Sequence, residues 1–300
     1  MQGMRLPAAL LLSLLPALAF AGEPERYYPD DLGQDGRITL FPAFSPDGQT
    51  LYLTQSEGSP IWEYPQRLKR STRTATGWSA PEPVDLGEPG RVDGASVSPD
   101  GRTLYLSWAP ARPEADGGAT NFDLFALDLT NAEARPEALG AVNTLRAGRV
   151  STLRYVNNEG SPSVDADGSL YFVSERLDQG PGERDLFTAE PDGQGGFLAP
   201  TVVPLSTPQR EGAPWVTPDG QRLFYAVAGE CGGSDIVVSE RTAEGWSAPR
   251  NLGCTVNGPG EEFGARLSPD GDLLFTSDRA FGGTPKGLLQ VWWVEGWDAG

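Results

Sequence analysis

Four acidic side chains recur at nearly one place in a repeating pattern. Glu159, Glu211 and Glu262 each stand nine residues before a turn glycine, and Asp93 stands eight before one. The first repeat has Thr39 at that place. Carboxylates repeated in this way could gather around the mouth of a common channel and hold a cation or a cationic ligand group. The other reading is local. Each acid would accept backbone N–H groups at a strand start, or pair with Arg176 or Arg279, which end neighbouring strands. Because the acid belongs to the repeat, the local reading is favoured. The candidate ligand-binding set is Asp93, Glu159, Glu211, Glu262, Arg176 and Arg279. No cofactor is expected, Ca²⁺ being the one that such carboxylates could admit.

Other chemistries find little support. The chain contains no histidine, which excludes Ser-His-Asp and Cys-His catalysis and zinc sites with His ligands. Gly94-Ala95-Ser96-Val97-Ser98 misses the last glycine of a nucleophile elbow. Asp165-Ala166-Asp167-Gly168-Ser169 opens like a calcium loop, but its twelfth position is Arg176, a cation where a glutamate is needed. It also aligns with four other turns, so it reads as structure. Trp78 and Trp246 share one place in the repeat and read as packing between units, whereas Trp62 and Trp108 fall in or beside loops and are candidates for ligand contact.

The elements that would position these groups announce themselves through one stretch, Ser98-Pro99-Asp100-Gly101-Arg102-Thr103-Leu104-Tyr105-Leu106. Five copies carry turn glycines Gly48, Gly101, Gly168, Gly220 and Gly271, spaced 53, 67, 52 and 51 residues apart. Asp-Gly ahead of alternating Leu and aromatic residues signals a hairpin, since glycine supplies the positive φ of a tight turn. The period matches that of four-stranded propeller blades. Innermost strands are expected over Phe41–Ser45, Ala95–Ser98, Pro162–Asp165, Pro214–Thr217 and Ala265–Ser268. Second strands follow each turn. Third strands often open with Asp, as at Asp123, Asp185 and Asp235. Gly77–Pro81 and its near-duplicate Gly245–Pro249 mark outer strands, where proline costs least. The long second repeat holds insertions over 109–121 and 130–158, with a helical turn expected within Asn131–Leu139. The fifth repeat lacks an outer strand, so Pro24–Thr39 is expected to supply it and close the ring. The fold expected is all-β, a single five-bladed β-propeller of four-stranded blades. Six blades is the alternative if the 130–158 insertion hides a degenerate one.

Residues 1–21 read as a signal peptide: Arg5, then an apolar run interrupted by Pro7 and Pro16 and too short to span a bilayer, then Ala19-Phe20-Ala21. Residues 22–300 form the propeller domain in this reading, periplasmic or secreted, with no membrane insertion after cleavage. The net charge of −18 repels phosphate backbones, so nucleic acid is not an expected partner. In an oxidising compartment, Cys231 and Cys254 are expected to form a disulfide; two free thiols are the other reading.

Ser-Pro-Asp-Gly before Leu-Tyr or Leu-Phe, Asp-Ile or Asp-Leu at the third strand, and Gly-Trp-Ser-Ala-Pro-x-x-Leu-Gly together resemble the WD40-like repeats of TolB-type periplasmic propellers. Gly245–Asn257 followed by Glu262–Arg279 resembles them most. TolB proteins carry a separate α/β domain before the propeller, and only Gly22–Arg37 stands before the first repeat here, so their envelope role is not carried over. The resemblance implies an exported, non-catalytic binding or scaffold module. It would hold an envelope protein, peptide or glycan at the channel mouth where the innermost strands begin. The alternative is a metal-dependent propeller enzyme, such as a lactonase or sugar lyase, with a divalent cation on channel carboxylates.

Overall fold

A computed structural model describes residues 22–27, 38–56, 58, 61, 64–110, 121–144, 158–176, 179–280 and 288–297. Five antiparallel sheets follow one another along the chain as the blades of a five-bladed propeller. Blade 3 shows the plan. Its innermost strand Glu159–Val164 pairs with Leu170–Ser174, then Asp185–Ala189, then the outer strand Thr201–Val202. The innermost strands of the other blades are Ile38–Phe44, Gly90–Val97, Gly212–Val216 and Glu262–Leu267.

Separate apolar clusters fill the seams between blades. Leu124 of blade 2 shares a cluster with Leu170 of blade 3, Tyr171 of blade 3 with Leu223 of blade 4, and Phe224 of blade 4 with Leu273 of blade 5. The two tryptophans of the repeat take part in such packing. Trp78 lies 6.1 Å from Phe44 and donates Nε1–H to the Tyr27 hydroxyl (3.0 Å), while Trp246 stands edge-on to Tyr171 of blade 3. Trp108 is buried edge-on against Phe125, and Trp62 lies outside the described residues.

The ring closes through the N-terminal segment. Glu25–Arg26 forms the outer strand of blade 5, Glu25 opposite Trp293 and Arg26 opposite Trp292, and Tyr27 N–H donates to Val291 O (2.9 Å). Ile38 and Thr39, expected in that segment, instead begin the innermost strand of blade 1. A first and a last strand in one blade bury an edge that would otherwise template aggregation.

Two details differ from the sequence expectation. Within the 130–158 insertion, Glu137–Ala138 is the outer strand of blade 2 and the helical turn is Gly140–Val142, a few residues later than expected. The innermost strands also begin earlier than their alternation suggests. Each has a break in register, between Leu40 and Ala43, Val92 and Ala95, Gly160 and Ser163, Gly212 and Trp215, and Phe263 and Arg266. At each break one residue takes positive φ: Phe41 (53°), Gly94 (101°), Ser161 (51°), Ala213 (46°) and Gly264 (66°). Such a bulge inverts the in–out alternation, so a pattern search sees only the half strand beyond it. The acids before the expected strands therefore lie inside or at the start of the real ones. No helix among the described residues is long and apolar enough to cross a membrane.

Candidate functional site

The three glutamates sit at equivalent positions, yet none lines the channel. Glu159, Glu211 and Glu262 are fully buried. In blade 3, Ser174 Oγ (2.9 Å) and Arg176 Nη2 (3.2 Å) donate to Glu159 Oε1, and the Thr144 hydroxyl adds a third bond (2.7 Å). Arg176 also donates to Val142 O in the link that enters the blade (2.5 Å). Blade 5 repeats the device. Ser277 Oγ (2.6 Å) and Arg279 Nη2 (3.2 Å) donate to Glu262 Oε1, Gly258 N–H donates to Oε2 (2.9 Å), and Arg279 reaches Val256 O. Each arginine lies against two aromatic rings, Phe172 and Phe187 for Arg176, Phe275 and Trp292 for Arg279. The glutamate thus ties the incoming link to the second strand, and the geometry is the local one. Burial pushes the Glu159 carboxyl up, against the Thr144 hydrogen bond, the Arg176 charge and the Ser174 hydroxyl.

Blade 4 keeps the glutamate without its partners. Val227 and Gly229 stand where blades 3 and 5 place Ser and Arg. Glu211 Oε1 accepts from the Thr207 hydroxyl (2.6 Å) and N–H (3.1 Å), and Oε2 has no partner among the described residues. Burial pushes its carboxyl up to about 7, against the Thr207 bonds. The arginine position is closed sterically, since a Cβ on Gly229 would stand 2.7 Å from Gly232 O. That loop is held instead by the Cys231–Cys254 disulfide and by Asp235 Oδ2, which accepts the N–H groups of Glu230 (2.8 Å) and Cys231 (3.0 Å).

Asp93 behaves differently because it is one residue out of step. Val92 pairs with Trp108 and occupies the glutamate position, so Asp93 turns to the opposite side of its strand and faces the channel. It lines a cavity of about 650 Å³ at the mouth where the innermost strands begin, together with Arg184, Phe41, Ser161 and Phe263. Burial raises the Asp93 carboxyl, and the charges of Arg184 and Arg91 oppose the rise. Arg184 is anchored by its Nε–H on Glu211 O (2.7 Å), and burial and the charge of Arg210 lower its guanidinium. Phe41 forms the floor. Its ring lies 5.4 Å from Phe263 and spans to Gly94 and Gly264, where an added Cβ would meet it at 3.3 and 3.0 Å. A phenylalanine at φ 53° is strained by about 1–3 kcal/mol and is kept there only by its surroundings.

Of the six candidates, the structure thus brings only Asp93 to the mouth. Arg184 and Phe41 were missed by sequence reasoning. Arg184 lies just before the third strand of blade 3, outside the repeated motifs, and Phe41 is one more aromatic residue until its backbone angle is known. The Ser-x-Arg after two second strands, Ser174-Glu175-Arg176 and Ser277-Asp278-Arg279, was a readable signal for the glutamate clamps. The Asp165 carboxylate accepts N–H groups of Asp167 (3.1 Å) and Ser169 (3.0 Å), as a turn acid does. No three His, Cys, Asp or Glu side chains among the described residues come together in a group able to hold a metal ion.

No family model matches the chain, and no curated protein sequence matches it. Solved propeller structures do. A protein described as TolB from Agrobacterium tumefaciens is 18% identical, with a TM-score of 0.52 over 85% of this chain and 76% of that one. One described as a gluconolactonase is 16% identical, with a TM-score of 0.49 over 90% and 80%. A puromycin hydrolase is 18% identical, with a TM-score of 0.41 over 82% of this chain, which spans only 34% of the hydrolase. At 18% identity the likeness to the TolB structure shows a shared fold alone.

Proposed function

We propose that the chain is an exported binding module, without catalysis of its own, that holds a protein or peptide segment at the strand-start mouth of the channel. One observation carries the reading: the cavity of about 650 Å³ has an aromatic floor, Phe41 beside Phe263, and lines its walls with opposite charges, Asp93 and Arg184. The floor suits an apolar side chain, and the two charges orient the segment around it. The repeat's resemblance to TolB-type propellers supports a periplasmic or secreted address, as does the signal-peptide pattern of residues 1–21 ahead of a propeller domain over 22–300. Glu159–Arg176 and Glu262–Arg279 serve this function indirectly, by holding the links that frame the mouth.

The test is binding to arrays of envelope-protein peptides and of glycans, using the parent chain, Asp93→Asn and Arg184→Gln. Peptides joining an apolar residue to a charged one should bind the parent and lose about tenfold or more in Arg184→Gln. Binding to glycans alone would hand the mouth to a sugar. Saturable binding to neither array would overturn the reading.

A further inference from the structure

The opposite end of the channel holds a second feature, independent of the mouth. Five residues before each turn glycine, the innermost strands contribute Ala43, Ser96, Ser163, Trp215 and Arg266 to one ring around the axis. Four of these are neutral. Arg266 is the exception, and it is 2% exposed. Its Nη1 donates to Ala265 O (2.8 Å), while Nε and Nη2 have no hydrogen-bond partner among the described residues. Its guanidinium stands 5.8 Å from the Trp215 ring. No acid opposes the burial, which alone pushes the guanidinium down to about 9, so the group is still protonated at neutral pH. A buried cation with two nitrogens unmet is costly to keep.

The two unmet nitrogens are informative as a pair. Nε–H and an Nη2–H lie side by side on one edge of the planar fork, and that edge matches the two oxygens of a carboxylate. Arg266 lines a cavity of about 440 Å³, walled also by Trp215, Ala43, Leu267 and the prolines of four Pro-Asp-Gly turns. Arg222 and Asp219 also line it. Apolar walls around a single buried cation suit a ligand with one anionic group and an apolar body. A chain of net charge −18 disfavours the approach of polyanions.

We infer that the turn end of the channel is a binding site for a monocarboxylate with an apolar body, its carboxylate received side-on by Nε and Nη2 of Arg266 and its body packed on Trp215. The carboxylate could belong to a small free acid or to the C-terminus of a peptide, and the experiment separates the two. Isothermal titration of the full chain uses 3-phenylpropionate against 3-phenylpropionamide, and a hexapeptide ending in leucine with a free or an amidated C-terminus. At least one acid should bind saturably, with its amide weaker by about tenfold or more. Arg266→Met should abolish the difference, and Glu244→Gln, in the exposed outer hairpin of blade 4, should leave it unchanged. Binding of the small acid alone assigns the site to free acids; binding of the free-ended peptide alone assigns it to chain termini. Equal binding of acid and amide, binding that survives in Arg266→Met, or no binding of either acid would overturn the inference. The acid–amide comparison on the parent chain decides the matter even where the variant fails to fold.

Discussion

Blades 3 and 5 bury a glutamate against a serine and an arginine, and blade 4 buries the same glutamate against neither. In the first two, the carboxylate bridges the incoming link and the second strand, and its charge is met. In blade 4 the carboxylate lacks that counter-ion, and a disulfide holds the loop where the arginine would stand to the link that leaves for blade 5. A residue can therefore repeat while its environment does not. The ion pair and the crosslink secure different loops: the pair holds the link that enters a blade, and the disulfide holds the loop of blade 4 to the link that leaves it for blade 5.

The hardest blow to the comparison is removal of one partner in a clamp. Arg279→Met should destabilise by about 3–5 kcal/mol, because the buried Glu262 is left without its counter-charge. Urea unfolding measures it, and Glu262→Met with Arg279→Met together should recover most of the loss. If the single variant unfolds like the parent, the clamp does not hold the blade.

Reduction of Cys231–Cys254, 23 residues apart, should cost about 3 kcal/mol by freeing the unfolded chain. Melting with and without reductant checks it, and free-thiol counts confirm the reduction. Reduction with no change in melting would show that the crosslink does not stabilise the blade 4 loop.

The unpaired carboxylate makes a pH signature. The Glu211 pKa in the folded chain, about 7, lies above its ordinary value of 4.5, so the folded state holds the proton more tightly than the unfolded one. Nothing is lost while both states are protonated. Stability falls as pH rises from about 4.5 through 7, by up to about 3 kcal/mol. Glu211→Gln should remove this part of the fall, and melting temperatures from about pH 5 to 8 measure it. A parent curve as steep in the variant would show that Glu211 is already paired.

The smallest effect sharpens the comparison. Val227→Ser restores the hydroxyl that blades 3 and 5 use, without the arginine that Gly229 has no room for. A bond to the free Oε2 of Glu211 should add about 1 kcal/mol above pH 7 and flatten the pH dependence, read by the same melting series.

The blade count, the hairpins and the closing segment were legible in residue order, because each rests on local chemistry. Asp-Gly specifies a turn wherever it stands, and five turns at a near-constant period leave few architectures. The pairing of Cys231 with Cys254 was legible because the sequence has two cysteines and the signal-like residues 1–21 led to the expectation of an oxidising compartment. The site was less legible. Counting back from the turn glycine placed Asp93 beside the glutamates, but a strand residue one step out of register faces the other way, and this turned Asp93 alone into the channel. The bulge that makes the innermost strands longer than their alternation depends on a left-handed residue, and Phe41, Ser161 and Ala213 carry no sequence mark of that conformation.

The sequence by itself therefore determined the fold, the ring closure and the crosslink, which follow from local turn chemistry, periodicity and composition. Only the tertiary structure decided which charges are met. Arg176 and Arg279 reach their glutamates across 17 residues of chain, whereas Arg266 ends among neutral side chains contributed by other blades. Charge compensation depends on distances between strands brought together by the closed ring, and no spacing along the chain encodes those distances.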